Sequence, residues 1–224
     1  MTRVAVVGCA GRMGRTLIEA IGSSDGLVLG AATERPGSSL VGTDAGELAG
    51  MGKLGIEVAD SLRSVVDDFD VVIDFTAPAA TMEHLAVCLD HARRMVIGTT
   101  GLNEPQKAEL KTASTQAAIV FAPNMSVGVN LCFRVLDIAA RVMGDAADIE
   151  VIEAHHRHKL DAPSGTALML GQAAADGRGI ELKDRSVMSR EGQTGARGRG
   201  DMYSCNLTWR QAQFACERRR KRAA

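Results

Sequence analysis

Apolar positions in the first 125 residues fall in short unbroken runs, each closed by a turn and followed by helical spacing. Arg3-Val4-Ala5-Val6-Val7 is too short for a helix, breaks at Gly8 to Gly14, and gives way to a helical pattern from Arg15 to Ile21. Leu27 to Thr33 is the second run and ends at Glu34. Gly37 to Gly55 is rich in Gly, Ser and Asp without a sustained period and reads as a long loop. Three more units follow: Asp70 to Phe75 with a helix to about Ala92, Met95 to Gly98 with a helix from about Glu104, and Ala118 to Ala122. Continuous apolar strands alternating with helices predict an α/β fold, a Rossmann-like doubly wound parallel sheet over residues 1–125.

The pattern then changes. Ser126 is placed to cap a helix in which Leu131, Val135, Ile138 and Val142 recur as one stripe expected to be buried. Ile149 to Ala154 reads as a strand, Asp161-Ala162-Pro163 as a turn, and Ser164 as the cap of a helix through about Ala175. Residues 126–197 are therefore expected to form a second, α+β domain for substrate and oligomerisation. Residues 198–224 show no alternating strand pattern and read as a divergent tail that leaves this domain incomplete.

The first turn carries chemistry. Gly8-Cys9-Ala10-Gly11-Arg12-Met13-Gly14 has glycines for a tight turn, for close approach of backbone N–H groups to a pyrophosphate, and for packing of helix on strand. The spacing is G-x-x-G-x-x-G, and alone it also fits a plain strand-to-helix turn. Glu34, twenty residues after Gly14, stands where such a fold places the carboxylate that accepts from ribose hydroxyls. Arg35 beside it suits a 2′-phosphate, so either NADH or NADPH is admissible. Ligands bind beyond the carboxyl ends of parallel strands, which brings Gly98-Thr99-Thr100 and Ala122-Pro123-Asn124-Met125 to the nicotinamide end.

Glu-Val-Ile-Glu-Ala-His-His-Arg-His-Lys, residues 150–159, runs from the predicted strand into a cluster, His155 to Lys159, that holds three of the five histidines. A metal site, a solvated polar loop and a catalytic anion pocket all compete for this cluster. Against a metal stand the opposite faces taken by adjacent residues and the absence of a repeated H-x-x-x-H. For catalysis, His155 is a general acid suited to neutral pH and Lys159 a fixed charge or second proton source, while the amides of Gly165 and Thr166 open from a helix N-terminus. A nucleotide domain joined to a cationic loop predicts a reductase delivering hydride to a small acidic C=N or C=C substrate.

Composition narrows the alternatives. Aromatics make up only 3%, which disfavours base stacking on single strands. Five cysteines, odd in number and never spaced as C-x-x-C, argue against a disulfide framework or structural zinc and suit a reducing cytoplasm. No apolar run approaches the roughly 18 residues of a membrane span. The run Arg218 to Arg222 is five of 26 basic residues, and without it the rest holds 21 basic against 27 acidic. That run reads as a solvated terminus rather than a nucleic-acid patch.

The blocks Gly8 to Gly14, Asp70 to Thr76, Val96 to Gly101, Phe121 to Asn130 and Glu153 to Thr166 resemble the 4-hydroxy-tetrahydrodipicolinate reductase family, also called dihydrodipicolinate reductase, from Val4 to about Arg197. The resemblance implies reduction of 4-hydroxy-tetrahydrodipicolinate to tetrahydrodipicolinate with NADH or NADPH in bacterial and plant diaminopimelate and lysine biosynthesis. It implies His155 as proton donor and acceptor, Lys159 as second proton donor, and His156 with the Gly165 and Thr166 amides on the substrate carboxylates. Gly8, Cys9, Ala10, Gly11, Arg12, Met13, Glu34, Arg35, Gly98, Thr99, Thr100 and Ala122 to Met125 match the cofactor contacts, and no metal is implied. The expected protein is a cytoplasmic homotetramer, without nucleic-acid or membrane partners, that takes a small dicarboxylate. After residue 197 the family would continue with apolar strands, a hairpin and a helix returning to the nucleotide domain. Where this chain departs, a truncated or frame-shifted end is expected to compromise assembly, leaving as the alternative a catalytically impaired nucleotide-binding relative.

Overall fold

A computed structural model describes residues 1–154, 161–188, 192–193 and 204–209. The chain divides into two compact units, Met1–Pro123 and Asn124–Ala224.

In the first unit six parallel strands pair in the order β3-β2-β1-β4-β5-β6: β1 (Thr2–Val7), β2 (Leu27–Thr33), β3 (Val58–Ala59), β4 (Val71–Asp74), β5 (Arg94–Ile97) and β6 (Ile119–Phe121). The connecting helices are α1 (Arg12–Gly22), α2 (Ala45–Ala49), α3 (Pro78–Asp90) and α4 (Glu104–Ala113). The expected strands are found to within a residue or two at each end. Val4 to Val7 are all buried because the central strand is covered on both faces. Ala5, Val7, Val72, Met95 and Ile97 meet Leu85, Cys88 and Leu110 of α3 and α4. Val4, Val6, Leu29 and Ala32 meet Ile18 and Ile21 of α1. The order of strands reverses at β1, with β2 on one side and β4 on the other, which opens a crevice at the carboxyl ends of β1 and β4.

Gly37 to Gly55 is not one loop. Asp44 caps α2 by accepting from the N–H groups of Gly46 and Glu47, and it also takes those of Leu54 and Gly55, tying the segment to itself. One carboxylate thus orders a stretch whose composition shows no period.

In the second unit α5 (Val127–Met143) and α6 (Gly165–Arg178) pack on each other, with Ser126 accepting from Val129 N and Ser164 from Ala167 N as expected caps. Three antiparallel strands pair in the order β7 (Ile149–Ala154), β11 (Ser204–Trp209), β9 (Val187–Met188). The short strands β8 (Asp161–Ala162) and β10 (Gly192–Gln193) pair separately, and α7 (Leu182–Arg185) precedes β9.

Two expectations fail here. The stripe Leu131, Val135, Ile138 and Val142 is not buried; these side chains are 56% to 79% exposed. The packed face of α5 instead carries Phe133, Leu136 and Ala140, where Gly177 of α6 lies so close to the Asp137 carbonyl and Ala140 that no side chain fits at that position. Close approach of the helices selected the small pair Ala140 and Gly177 at the crossing. Residues 204–209 are not structureless tail: Ser204 pairs with Ala154 and Trp209 with Ile149, placing β11 in the middle of the sheet. The period-two alternation of Cys205, Leu207 and Trp209 in this segment is the strand signal. Among the described residues no helix is long and apolar enough to cross a membrane.

Candidate nucleotide and substrate sites

At the end of β1 the chain turns through Gly8 with φ +64°, a conformation that favours glycine, and Gly11 N donates to Gly8 O at 3.0 Å. A Cβ on Gly14 would overlap the Gly8 carbonyl and the Cys9 backbone, so α1 is seated directly on the turn. Four of the helices, α2, α4, α5 and α6, close their first turns with a side chain from Asp44, Asn103, Ser126 or Ser164. At α1 the cap is Gly11 without a side-chain bond. The first-turn amides, including those of Arg12 and Met13, therefore open from a helix end that favours an anion.

Glu34 follows β2 and reaches back to this turn: its Oε2 accepts from Ala10 N at 3.2 Å and its Oε1 from Arg35 N at 3.1 Å. Cys9 is fully buried, and burial, reinforced by the charge of Glu34, pushes its thiol up to about 11. It is therefore neutral at ordinary pH, and any contact it makes with a ligand runs through its backbone. A cavity of about 540 Å³ brings Gly8, Glu34 and Arg35 together with Arg63, Thr76 and His84. A glycine turn too close for side chains, an open helix end and a carboxylate at the ribose position fit a dinucleotide.

Gly98 to Thr100 follow β5, and Ala122 and Pro123 follow β6; they stand at the expected carboxyl ends but outside the lining of that cavity. Gly98 N donates to Asp74 O and Ala122 N to Ile97 O. The Thr99 hydroxyl is buried and engaged by Thr76 N, Thr81 and Asp74. Burial raises the Asp74 carboxyl, but hydrogen bonds from His84 and then Thr76 outweigh it and hold the group below its ordinary value. Sequence reading missed His84, Glu83 and the segment Asp60 to Arg63, all of which line the cavity. No motif announces them, because their relation to Glu34 is spatial.

In the second unit the Asn124 amide donates to Thr166 Oγ1 at 3.4 Å, and its oxygen accepts from Ser126 N at 2.9 Å. Asn130 donates to the Asn124 carbonyl at 3.0 Å. Two residues expected in different roles, Asn124 and Thr166, are thereby joined. Met125 is exposed, as is Gly165 at the start of α6. Glu153, near the end of β7, accepts from Ser164 N at 2.7 Å, which ties the strand before residues 155–160 to the helix cap after them. His155, His156 and Lys159 lie outside the described residues.

Residues 2–125 match the sequence model of the dihydrodipicolinate reductase N-terminus, and residues 128–214 that of its C-terminus. The C-terminal match runs past the expected limit at residue 197 and includes β11. The fold is similar to that of a dipicolinate-bound dihydrodipicolinate reductase from Paenisporosarcina sp. TG-14, at 23% identity and a TM-score of 0.64, over 92% of this chain and 87% of that one. It is also similar to an amine dehydrogenase from Mycobacterium smegmatis, at 18% identity and a TM-score of 0.61, over 92% of this chain and 74% of that one. A probable dehydrogenase from Thermotoga maritima aligns at 17% identity and a TM-score of 0.54, over 80% of this chain and 56% of that one. The two sequence models together span nearly the whole chain, and the chain belongs to the dihydrodipicolinate reductase family.

Proposed function

From that membership, which makes the chain an NAD(P)H-dependent oxidoreductase, we propose that it reduces 4-hydroxy-tetrahydrodipicolinate to tetrahydrodipicolinate in diaminopimelate and lysine biosynthesis, in the cytoplasm and as a homotetramer. The observation that carries the reading is the coincidence of both family matches with the Glu34 cavity beside an open helix end.

When bound, the reduced nicotinamide supplies the hydride. The chain's own residues do the rest. The amides of Arg12 and Met13 would hold the pyrophosphate and Glu34 and Arg35 the ribose end, and Gly98 to Thr100 and Ala122 to Met125 are the remaining cofactor-binding residues of this reading. His156 and the amides of Gly165 and Thr166 hold the two substrate carboxylates, supported by the capped first turn of α6. His155 would give the proton that the substrate takes up, and Lys159 would be the second proton source. The substrate takes up one hydride and one proton and loses its hydroxyl as water.

Following loss of NAD(P)H absorbance with the dicarboxylate tests this directly. Replacing His155 by Gln or Lys159 by Met is expected to lower turnover by about a hundredfold or more, with cofactor affinity changed less than about twofold. Unchanged turnover in both variants contradicts the assignment. The exposed apolar positions of α5 favour the second reading, an impaired nucleotide-binding relative. That reading predicts normal cofactor binding, no turnover, and no tetramer on size-exclusion chromatography.

A further inference from the structure

The two oxygens of Asp74 do different work. Oδ1 accepts from Thr76 N at 2.8 Å, from Thr76 Oγ1 at 2.6 Å and from Thr99 Oγ1 at 3.2 Å, all beside the ends of β4 and β5. Oδ2 lies 2.7 Å from Nδ1 of His84, on α3. Asp74 is fully buried, whereas the His84 side chain is 18% exposed and lines the cavity that holds Glu34 and Arg35. An ionised carboxylate only accepts hydrogen bonds, so Nδ1 of His84 must donate. A histidine nitrogen bound in this way fixes the role of the other, and Nε2 is left for the cavity. The surrounding wall is apolar at Pro36, Leu62, Ala80 and Val87, as a flat base requires.

We propose that Asp74 is a positioning residue for the adenosine half of the nucleotide: through Oδ2 it keeps the proton of His84 on Nδ1 and leaves Nε2 to the base and ribose held by Glu34. The inference rests on the nucleotide reading above. It adds a division of labour, with Oδ1 ordering the strand ends and Oδ2 ordering the histidine.

Asp74→Asn separates the two arms. It retains an oxygen for Thr76 and Thr99 and sets an amide donor against His84, which moves the ring proton to Nε2. In ¹⁵N-histidine spectra of the full chain at about pH 8, His84 is expected to carry its proton on Nδ1 in the wild type and on Nε2 in the variant. NADH and ADP-ribose are expected to bind the variant about tenfold more weakly, while reduced nicotinamide mononucleotide, which has no adenosine, changes less than about twofold. His84→Asn, which keeps a donor to Asp74 but has no counterpart of Nε2, is expected to give the same split and decides the matter if Asp74→Asn does not fold. Equal weakening of all three ligands would make Asp74 purely structural and overturn the proposal. So would undiminished NADH and ADP-ribose affinity in His84→Asn. Failure of the wild type to bind NADH or ADP-ribose would instead overturn the nucleotide reading itself.

Discussion

The two units bury different kinds of residue. In Met1–Pro123 the sheet is filled by large side chains that are nearly or fully inaccessible, among them Phe69, Ile18, Leu85, Met95 and Ile97. In the described part of 124–224 the buried cluster is Ala140, Val151, Ala167, Ala174 and Ala175, while Leu131, Val135, Ile138 and Val142 of α5 face outward and Phe133 and Leu136 face inward. A small, alanine-rich core brings two helices close together but removes little apolar area from water, so the described part of the second unit gains less from each buried side chain. The first unit is packed on its own large side chains; the second leaves a stripe of Val127, Leu131, Val135, Ile138 and Val142 in solvent. The contrast matters for function because the cavity proposed for the cofactor belongs to the first unit, and the residues proposed for proton transfer to the second.

The comparison breaks most readily at Phe69, which is fully buried in the cluster that also holds Leu85, Met95 and Leu110. Phe69→Ala is expected to destabilise the first unit by roughly 3–5 kcal/mol in denaturant unfolding. A change below about 1 kcal/mol would mean that this core is no better filled than the second.

A smaller effect is expected in acid. Arg3 binds Asp70 through its guanidinium at 2.8 Å and through its backbone N–H at 2.8 Å, joining the starts of β1 and β4. The side-chain bond from Arg3, then its backbone N–H, hold the Asp70 carboxyl down at about 2. Because the folded value lies below the ordinary ~3.9, this contribution is fully present above that pH and fades as pH falls through about 2. Asp70→Asn is therefore expected to flatten the acid limb of the first unit's stability. An unchanged limb would show that the pair contributes nothing.

The smallest effect belongs to the outward stripe. Leu131→Ala is expected to alter stability by no more than about 0.5 kcal/mol, whereas a buried leucine would cost about 2–5 kcal/mol. A loss in the larger range would show that something covers α5 in solution.

The same contrast explains what was legible in the sequence. Leu27 to Thr33 is reproduced residue for residue as β2, a short apolar run bounded by Gly26 and Glu34 and buried from Leu29 onward except at Gly30. The glycine turn and Glu34 were legible because fixed spacings carry their geometry. On α5 apolar residues occupy more than one face, and periodicity selected the large ones where packing had selected Ala140 opposite Gly177. Asp44 was hidden because its four N–H partners span both local and distant positions in a glycine-rich stretch. Asp74 and His84 were hidden because a carboxylate at a strand end and an imidazole on the following helix form a pair only once the chain is folded.

The central claim is that the first unit holds a nicotinamide dinucleotide at the Glu34 cavity, and fluorescence titration of the full chain with NADH and with NADPH tests it most directly. Saturable binding of one dinucleotide per chain, displaced by ADP-ribose and weakened by Glu34→Ala for NADH, is the predicted result. Absence of saturable binding, or saturable binding unaffected by both ADP-ribose and Glu34→Ala, would contradict it.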